Sequence, residues 1–155
     1  MIIFTPKETD SSETRAALTP TTVKRLVDIG LEVEVESGIG AGCDHSDIEY
    51  SESGAKIVTD KGLSLSNADF IFRVKKPPSE EISILKQGAM HLSFLDPFND
   101  SESLHAMASS GVTAVSLEMI PRTTLAQKMD ALSSQANIAG YTAVIHSADK
   151  LNKML

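Results

Sequence analysis

Apolar residues in this chain fall into short blocks, and the stretches between the blocks carry apolar positions at helical spacing. The blocks at residues 2–4, 32–36, 56–58, 70–74, 89–94 and 112–115 have the length and side chains of strands. Residues 21–30, 46–53, 79–86 and 101–110 read as helices. Strand and helix in regular alternation predict an α/β domain of three layers, a parallel sheet of Rossmann-like or flavodoxin-like type covered by helices. The punctuation agrees. Thr19 is a good helix cap with Pro20 at the first helical position, and Gly30 is a good stop. Gly54 and Gly111 read as turns ahead of strands, and Pro77-Pro78 closes one. A long helix is expected from Asp130 to about Asn152, with Ile138, Tyr141, Ile145 and Ala148 at helical spacing and Ala136, Ala139, Gly140 and Ala143 permitting close backbone approach. No repeat, low-complexity tract or flexible linker is visible. The expected organisation is one α/β domain over 1–129 and a connecting helix over 130–155.

Composition narrows the function. The 155 residues are 41% hydrophobic and 23% charged, ordinary for a globular protein large enough to bury a core. With 14 basic against 21 acidic residues and a net charge of -7, no nucleic-acid surface is expected. The single cysteine, Cys43, permits no internal disulfide and suits a reducing compartment. No apolar run approaches the roughly 18–20 residues of a membrane span, and the opening Met1-Ile2-Ile3-Phe4 is too brief for a signal sequence. A cytoplasmic location is expected, with membrane contact only through partner subunits.

The richest chemistry lies where the last helix begins. Asp130 can cap it, Ser133 and Ser134 follow three and four residues later on one face, and Arg122 and Gln127 stand just upstream. On the residues alone, a capped helix whose small residues serve packing is the expected reading, and a cluster that grips a neutral polar ring is the alternative. Gly38-Ile39-Gly40-Ala41-Gly42 follows a predicted strand, but its third glycine comes one residue early for G-x-G-x-x-G, and Asp60 is the nearest acid at the required distance. A turn is the expected role. Arg15 and Lys75 are both placed at the same sheet edge, where ligands gather in open α/β folds, and a guanidinium with an ammonium suits a carboxylate. On the residues alone, a solvated surface pair is the expected reading. His45, His91, His105 and His146 have no metal-site spacing and read as surface or packing residues. Ser133-Ser134 lacks the partners of a serine hydrolase.

Several of these segments carry a resemblance. Arg-x-x-x-x-Gln-x-x-Asp-x-Leu-Ser-Ser-x-x-Asn-x-Ala-Gly-Tyr, from Arg122 to Tyr141, resembles the segment closing the first half of the NAD-binding component, domain I, of proton-translocating NAD(P) transhydrogenase. Pro6-Lys7-Glu8, Glu13-Thr14-Arg15-Ala16-Ala17-Leu18-Thr19-Pro20 and Val35-Glu36-Ser37-Gly38-Ile39-Gly40-Ala41-Gly42 resemble the opening of the amino-terminal domain shared by alanine dehydrogenases and transhydrogenases. The likeness runs from Met1 to about Ile145. It implies that Arg122, Gln127, Asp130 and Ser133 hold the nicotinamide of NAD(H) beside NADP(H) on a partner subunit, with Arg122, Gln127 and Asp130 serving hydride transfer. It also implies that the 38–42 loop is structural. In the dehydrogenase branch the residues matching Arg15 and Lys75 hold the substrate carboxylate.

One position separates the two branches. Oxidative deamination of alanine needs a proton shuttle, usually His, which alanine dehydrogenases place at or next to Asp96 in Phe94-Leu95-Asp96-Pro97-Phe98. Asp96 and Pro97 resemble the transhydrogenase branch, where hydride passage requires positioning more than acid–base chemistry. The expected function is therefore the amino-terminal portion of a transhydrogenase alpha subunit, inactive alone and without tight NAD binding, because the family's dinucleotide fold comes after Leu155. An interaction or regulatory module of the same fold and the substrate half of an alanine dehydrogenase are the alternatives. The helix face at Ile138, Tyr141, Ile145 and Leu151 would then drive homodimerisation or association with another chain, the missing NAD-binding domain and the NADP-binding beta subunit being the expected partners.

Overall fold

A computed structural model describes residues 1–151 and divides the chain into two compact units, Met1–Ser116 and a second beginning at Leu117. In the first unit the strands are β1 (Ile2–Thr5), β2 (Glu32–Glu36), β3 (Lys56–Val58), β4 (Phe70–Lys75), β5 (Met90–Phe94) and β6 (Thr113–Ser116). They form one parallel sheet in the order β3-β2-β1-β4-β5-β6. The chain runs outward from β1 to β3, then returns to the centre to pair β4 with β1. That reversal is the topological switch point of a doubly wound sheet, and ligand clefts open beyond the carboxyl ends of the strands there.

The helices of this unit are α1 (Pro20–Asp28), α2 (Asp47–Glu52), α3 (Lys61–Asn67), α4 (Ser79–Ile82) and α5 (Ser101–Ser109). The reversal sorts them onto opposite faces. Val23 of α1 and Tyr50 of α2 pack with Ile3, Val33 and Val35, whereas Leu65, Ile82 and Met107 of α3, α4 and α5 pack with Phe4 and Ile71. Ile3 and Phe4 are successive residues of β1, so the period-two alternation of a strand feeds both cores. Tyr50 is fully buried, and its hydroxyl donates to the Leu18 carbonyl at 2.8 Å; burial pushes that phenol up to about 12.

The six expected strands and the expected caps are present. Thr19 Oγ1 accepts from the Thr22 amide, Pro20 opens α1, and Gly30, Gly54 and Gly111 hold positive φ. Two helices differ from expectation. The stretch 61–67 carries no strong hydrophobic period, yet it forms α3 because Asp60 Oδ1 accepts the Leu63 amide at 3.0 Å and Leu65 and Ala68 reach the core. α4 ends at Ile82 rather than Lys86; tighter turns from Glu81 to Ile84 and from Ile82 to Leu85 take over, and Leu85 still reaches the core.

In the second unit, α6 (Ala131–Lys150) is the long helix expected, with Asp130 as its N-cap and Leu151 as its C-cap. Asn152, the end foreseen for it, lies outside the described residues. Among the described residues no helix is long and apolar enough to cross a membrane.

Of the four histidines, His91 is fully buried in β5, His45 is half-buried, and His105 and His146 are exposed. Burial, reinforced by the charge of Arg73, depresses the His91 pKa to about 3. The unfolded chain, with an ordinary histidine near ~6.5, therefore binds a proton that the folded chain refuses. Stability should fall as pH drops from about 6.5 towards 3, at up to about 1.4 kcal/mol per pH unit from this group. Urea unfolding between pH 7 and 4 checks this, and His91→Leu should reduce the slope by close to one proton.

Candidate functional site

The loop leaving β1 folds across the end of β4. Glu8, two residues past Pro6, accepts the amides of Val74 at 2.7 Å and Lys75 at 3.3 Å. Between Phe72 and Lys75 the pairing register of β4 with β5 also shifts, so the strand ends irregularly where Glu8 takes its amides. Burial raises the Glu8 pKa, while the amide bonds and the nearby Arg73 charge oppose the rise. This clamp brings Arg15 and Lys75 to one rim, as their positions in sequence suggested.

Each of those cations meets a carboxylate from the β1 loop. Arg15 is held bidentately by Glu13, with Nε–Oε1 at 2.7 Å and Nη2–Oε2 at 2.6 Å, and the Lys75 ammonium is paired with Asp10. The bond from Arg15 holds Glu13 below the usual carboxylate range, and the bond from Lys75 does the same to Asp10. Beside this rim lies a cleft of about 490 Å³ lined by Lys7, Glu8, Asp10, Arg15, Gly38 and Gly42, among others.

The 38–42 loop does more than turn. A side-chain carbon on Gly42 would stand 2.6 Å from the Thr14 carbonyl oxygen and 2.8 Å from its Cα, and one on Gly40 would meet the His45 backbone at 2.5 Å. Gly42 lets this loop buttress the segment that carries Glu13 and Arg15, and Gly40 lets the chain close onto His45. Asp60, the acid considered for a dinucleotide fingerprint, is engaged as the cap of α3. Sequence reading missed Glu8, Asp10 and Glu13 as parts of the rim. Their signal was present as acids at positions 8, 10 and 13, just past a strand end, but only the fold shows what they bind.

At the start of α6, Asp130 Oδ1 accepts the Ser133 amide at 2.9 Å and Oδ2 accepts the Ser133 hydroxyl at 2.6 Å. Gln127 opens a short turn whose carbonyl accepts the Asp130 amide at 3.3 Å. The bonds from Ser133, with a smaller contribution from the charge of Arg122, hold the Asp130 carboxyl below its ordinary range. Arg122, Gln127 and Ser133 are exposed and Asp130 half-exposed, so the cluster is open to a ligand. Ser134 stands apart, its hydroxyl bonding the Ala131 carbonyl at 3.0 Å. Along the helix, Ile138, Tyr141, Ile145 and Leu151 are all about half exposed or more.

Residues 4–139 match the family described as alanine dehydrogenase/PNT, N-terminal domain. The chain belongs to that family. It is 38% identical to the first polypeptide of the divided NAD(P) transhydrogenase alpha subunit of Rhodospirillum rubrum over 153 residues, which is 96% of this chain and 40% of that protein. It therefore spans less than half of that curated relative. A crystal structure of transhydrogenase from Sinorhizobium meliloti superposes with a TM-score of 0.92 at 41% identity, covering 99% of this chain and 46% of that one. An L-alanine dehydrogenase structure matches less fully, with a TM-score of 0.73 at 27% identity over 77% of this chain and 33% of that one.

The end of β5 carries the turn that holds Asp96. Asp96 adopts φ +52°, its carbonyl accepts the Asp100 amide at 3.0 Å, and its Oδ1 accepts the Asn99 side-chain amide at 2.7 Å. Aspartate tolerates this left-handed conformation better than most residues. It serves as a turn former there, and it offers no imidazole.

The cap geometry can be checked directly. Asp130→Ala should destabilise the first turn of α6, read as faster amide hydrogen exchange at Ser133. Because the folded carboxyl lies below its unfolded value, the cap should be fully present above an aspartate's ordinary ~3.9. It is lost only as pH falls below that range.

Proposed function

We propose that this chain is the amino-terminal part of the NAD(H)-binding component of a proton-translocating NAD(P) transhydrogenase, and that the loop opening α6 orients the nicotinamide. The observation that carries this reading is the fit to the transhydrogenase structure over 99% of the chain, including the segment with Arg122, Gln127, Asp130 and Ser133, against 77% for the alanine dehydrogenase structure. The chemistry of that segment suits the ring. A carboxamide needs both a donor and an acceptor, and the Gln127 side chain offers both, while the Ser133 hydroxyl, whose proton goes to Asp130, offers an acceptor. Asp130 fixes Ser133 through two bonds. Arg122 adds a positive field at the same helix start.

The bound dinucleotide supplies the hydride, and a partner subunit carrying NADP supplies its acceptor. This chain's residues contribute orientation, and orientation accounts for a large share of such a barrier. No titratable group need move a proton at the reacting carbon. Asp96, where an amino-acid dehydrogenase would need an imidazole, is consistent with that requirement. Arg15 and Lys75 keep the character of an anion cleft in the first unit. Because this chain is read as one portion of an alpha subunit, its place is on the cytoplasmic face, peripheral to a membrane through partner subunits.

A second reading draws on α6 itself. Its exposed Ile138, Tyr141 and Ile145 suit association with a second copy or with the NAD-binding domain. The two readings part on one experiment. In a complex reconstituted with the NAD-binding domain and the NADP-binding subunit, Gln127→Ala and Asp130→Asn should each slow hydride transfer by about a hundredfold, the cost of a misplaced reactant. An unchanged rate would defeat the positioning role and leave the interaction module. The 155-residue chain alone should bind NADH weakly or undetectably by calorimetry; tight binding would contradict this assignment of the dinucleotide fold to another segment.

A further inference from the structure

The rim of the first unit presents a guanidinium and an ammonium beside a cleft, the pair that would recognise a small carboxylate, yet both are already matched by carboxylates of the β1 loop. Asp10 is preorganised for this. Its Oδ1 accepts the amide of Ser12 at 2.8 Å and the Ser12 hydroxyl at 2.6 Å, which leaves Oδ2 directed at the Lys75 ammonium. Lys75 is in turn fixed from behind, because its backbone amide is bonded to Glu8. The carboxylate is thus held by a third group and loses little side-chain entropy on pairing, and the backbone of Lys75, though not its side chain, is anchored. The near charges also cancel, with Lys7, Arg15 and Lys75 facing Glu8, Asp10 and Glu13.

From this geometry we propose that Asp10 is a specificity-determining residue. It occupies Lys75 as an internal competitor and selects against small carboxylate ligands at the cleft. The inference rests on the anion-cleft reading of Arg15 and Lys75 and does not draw on the nicotinamide loop. Because the Asp10–Lys75 pair is partly exposed to solvent, its competition is finite. Exposed pairs of this kind correspond to an affinity change of about three- to fivefold.

Pyruvate serves as the probe, titrated into the 15N-labelled chain while the amide shifts of Arg15 and Lys75 are followed. Asp10→Asn, and Asp10→Ser as a second variant that keeps a loop-forming side chain, should bind pyruvate about three- to fivefold more tightly than the wild type. Adding Lys75→Ala to either should abolish the gain. Equal affinity in wild type and variants would overturn the role of Asp10 while leaving the cleft intact. A gain that survives Lys75→Ala would overturn it too. Absence of pyruvate binding in every folded protein would remove the anion cleft on which the inference stands. Hydride transfer in the reconstituted complex is a separate readout, so failure here and failure of the nicotinamide assignment are told apart.

Discussion

One carboxylate organises the cleft end of the sheet. Glu8 leaves β1 and takes two amides at the end of β4, joining the two strands that meet where the chain reverses. Placing a charge in this half-buried position is unfavourable, as the raised pKa shows. The amide bonds and the field of Arg73 offset that cost. Arg73 is itself buried and paired with Glu81 of α4, and Lys61 of α3 links Glu81 at 3.3 Å to Glu36 of β2 at 3.7 Å. Glu36 then accepts the Lys7 amide at 2.8 Å, next to Glu8. Alternating charges thus run from β2 through α3 and α4 to β4, and the start of the β1 loop is fastened to β2 on one side and β4 on the other. Removing one member would strand a buried partner, which costs more than any single pair contributes.

Much of this architecture was legible because local and global preferences agree. The blocks at 32–36 and 56–58 became β2 and β3 with unchanged limits, since Val33 and Val35 alternate with glutamates at the period of a strand and β-branched Ile57 and Val58 suit the edge strand beside it. Thr19-Pro20 and Asp130 gave helix starts because capping depends on the residue itself and needs no distant partner. α3 was illegible for the opposite reason. It buries Ser64 and Leu65, and Ser64 is tolerated there only because it bonds Glu34, a strand residue thirty positions earlier, at 2.6 Å. No periodicity encodes that contact. α4 was overestimated because Leu85 is a core residue, and core position was read as helix where a turn suffices.

The candidate sites divide along the same line. Asp130 and Ser133 bond each other across three residues, so the helix-start cluster could be read from spacing. Arg15 and Lys75 could be placed on one sheet edge because each follows or ends a strand of a parallel sheet. Their pairing with Glu13 and Asp10 could not, because an Asp–Lys contact spanning 65 residues depends on where the Glu8 clamp lays the loop. The glycines at 40 and 42 behave similarly. A glycine-rich turn after a strand suggests phosphate binding by pattern, but here the absent side chains make room for the backbone of His45 and Thr14.

Ionisation distinguishes the roles open to the two sites. Asp130 sits among donors that keep it ionised, so it can accept hydrogen bonds and fix Ser133 but has no proton to give near neutrality. The rim carboxylates Asp10 and Glu13 are likewise held ionised by the cations they face. His91, the histidine embedded in the sheet, is kept neutral by burial and sealed from solvent. Glu8, which lines the cleft, differs in that burial raises its pKa, but its two oxygens are engaged by the Val74 and Lys75 amides. Ionised carboxylates that accept hydrogen bonds and fix their neighbours suit the positioning role proposed for the loop opening α6, where geometry rather than proton transfer is what the side chains contribute.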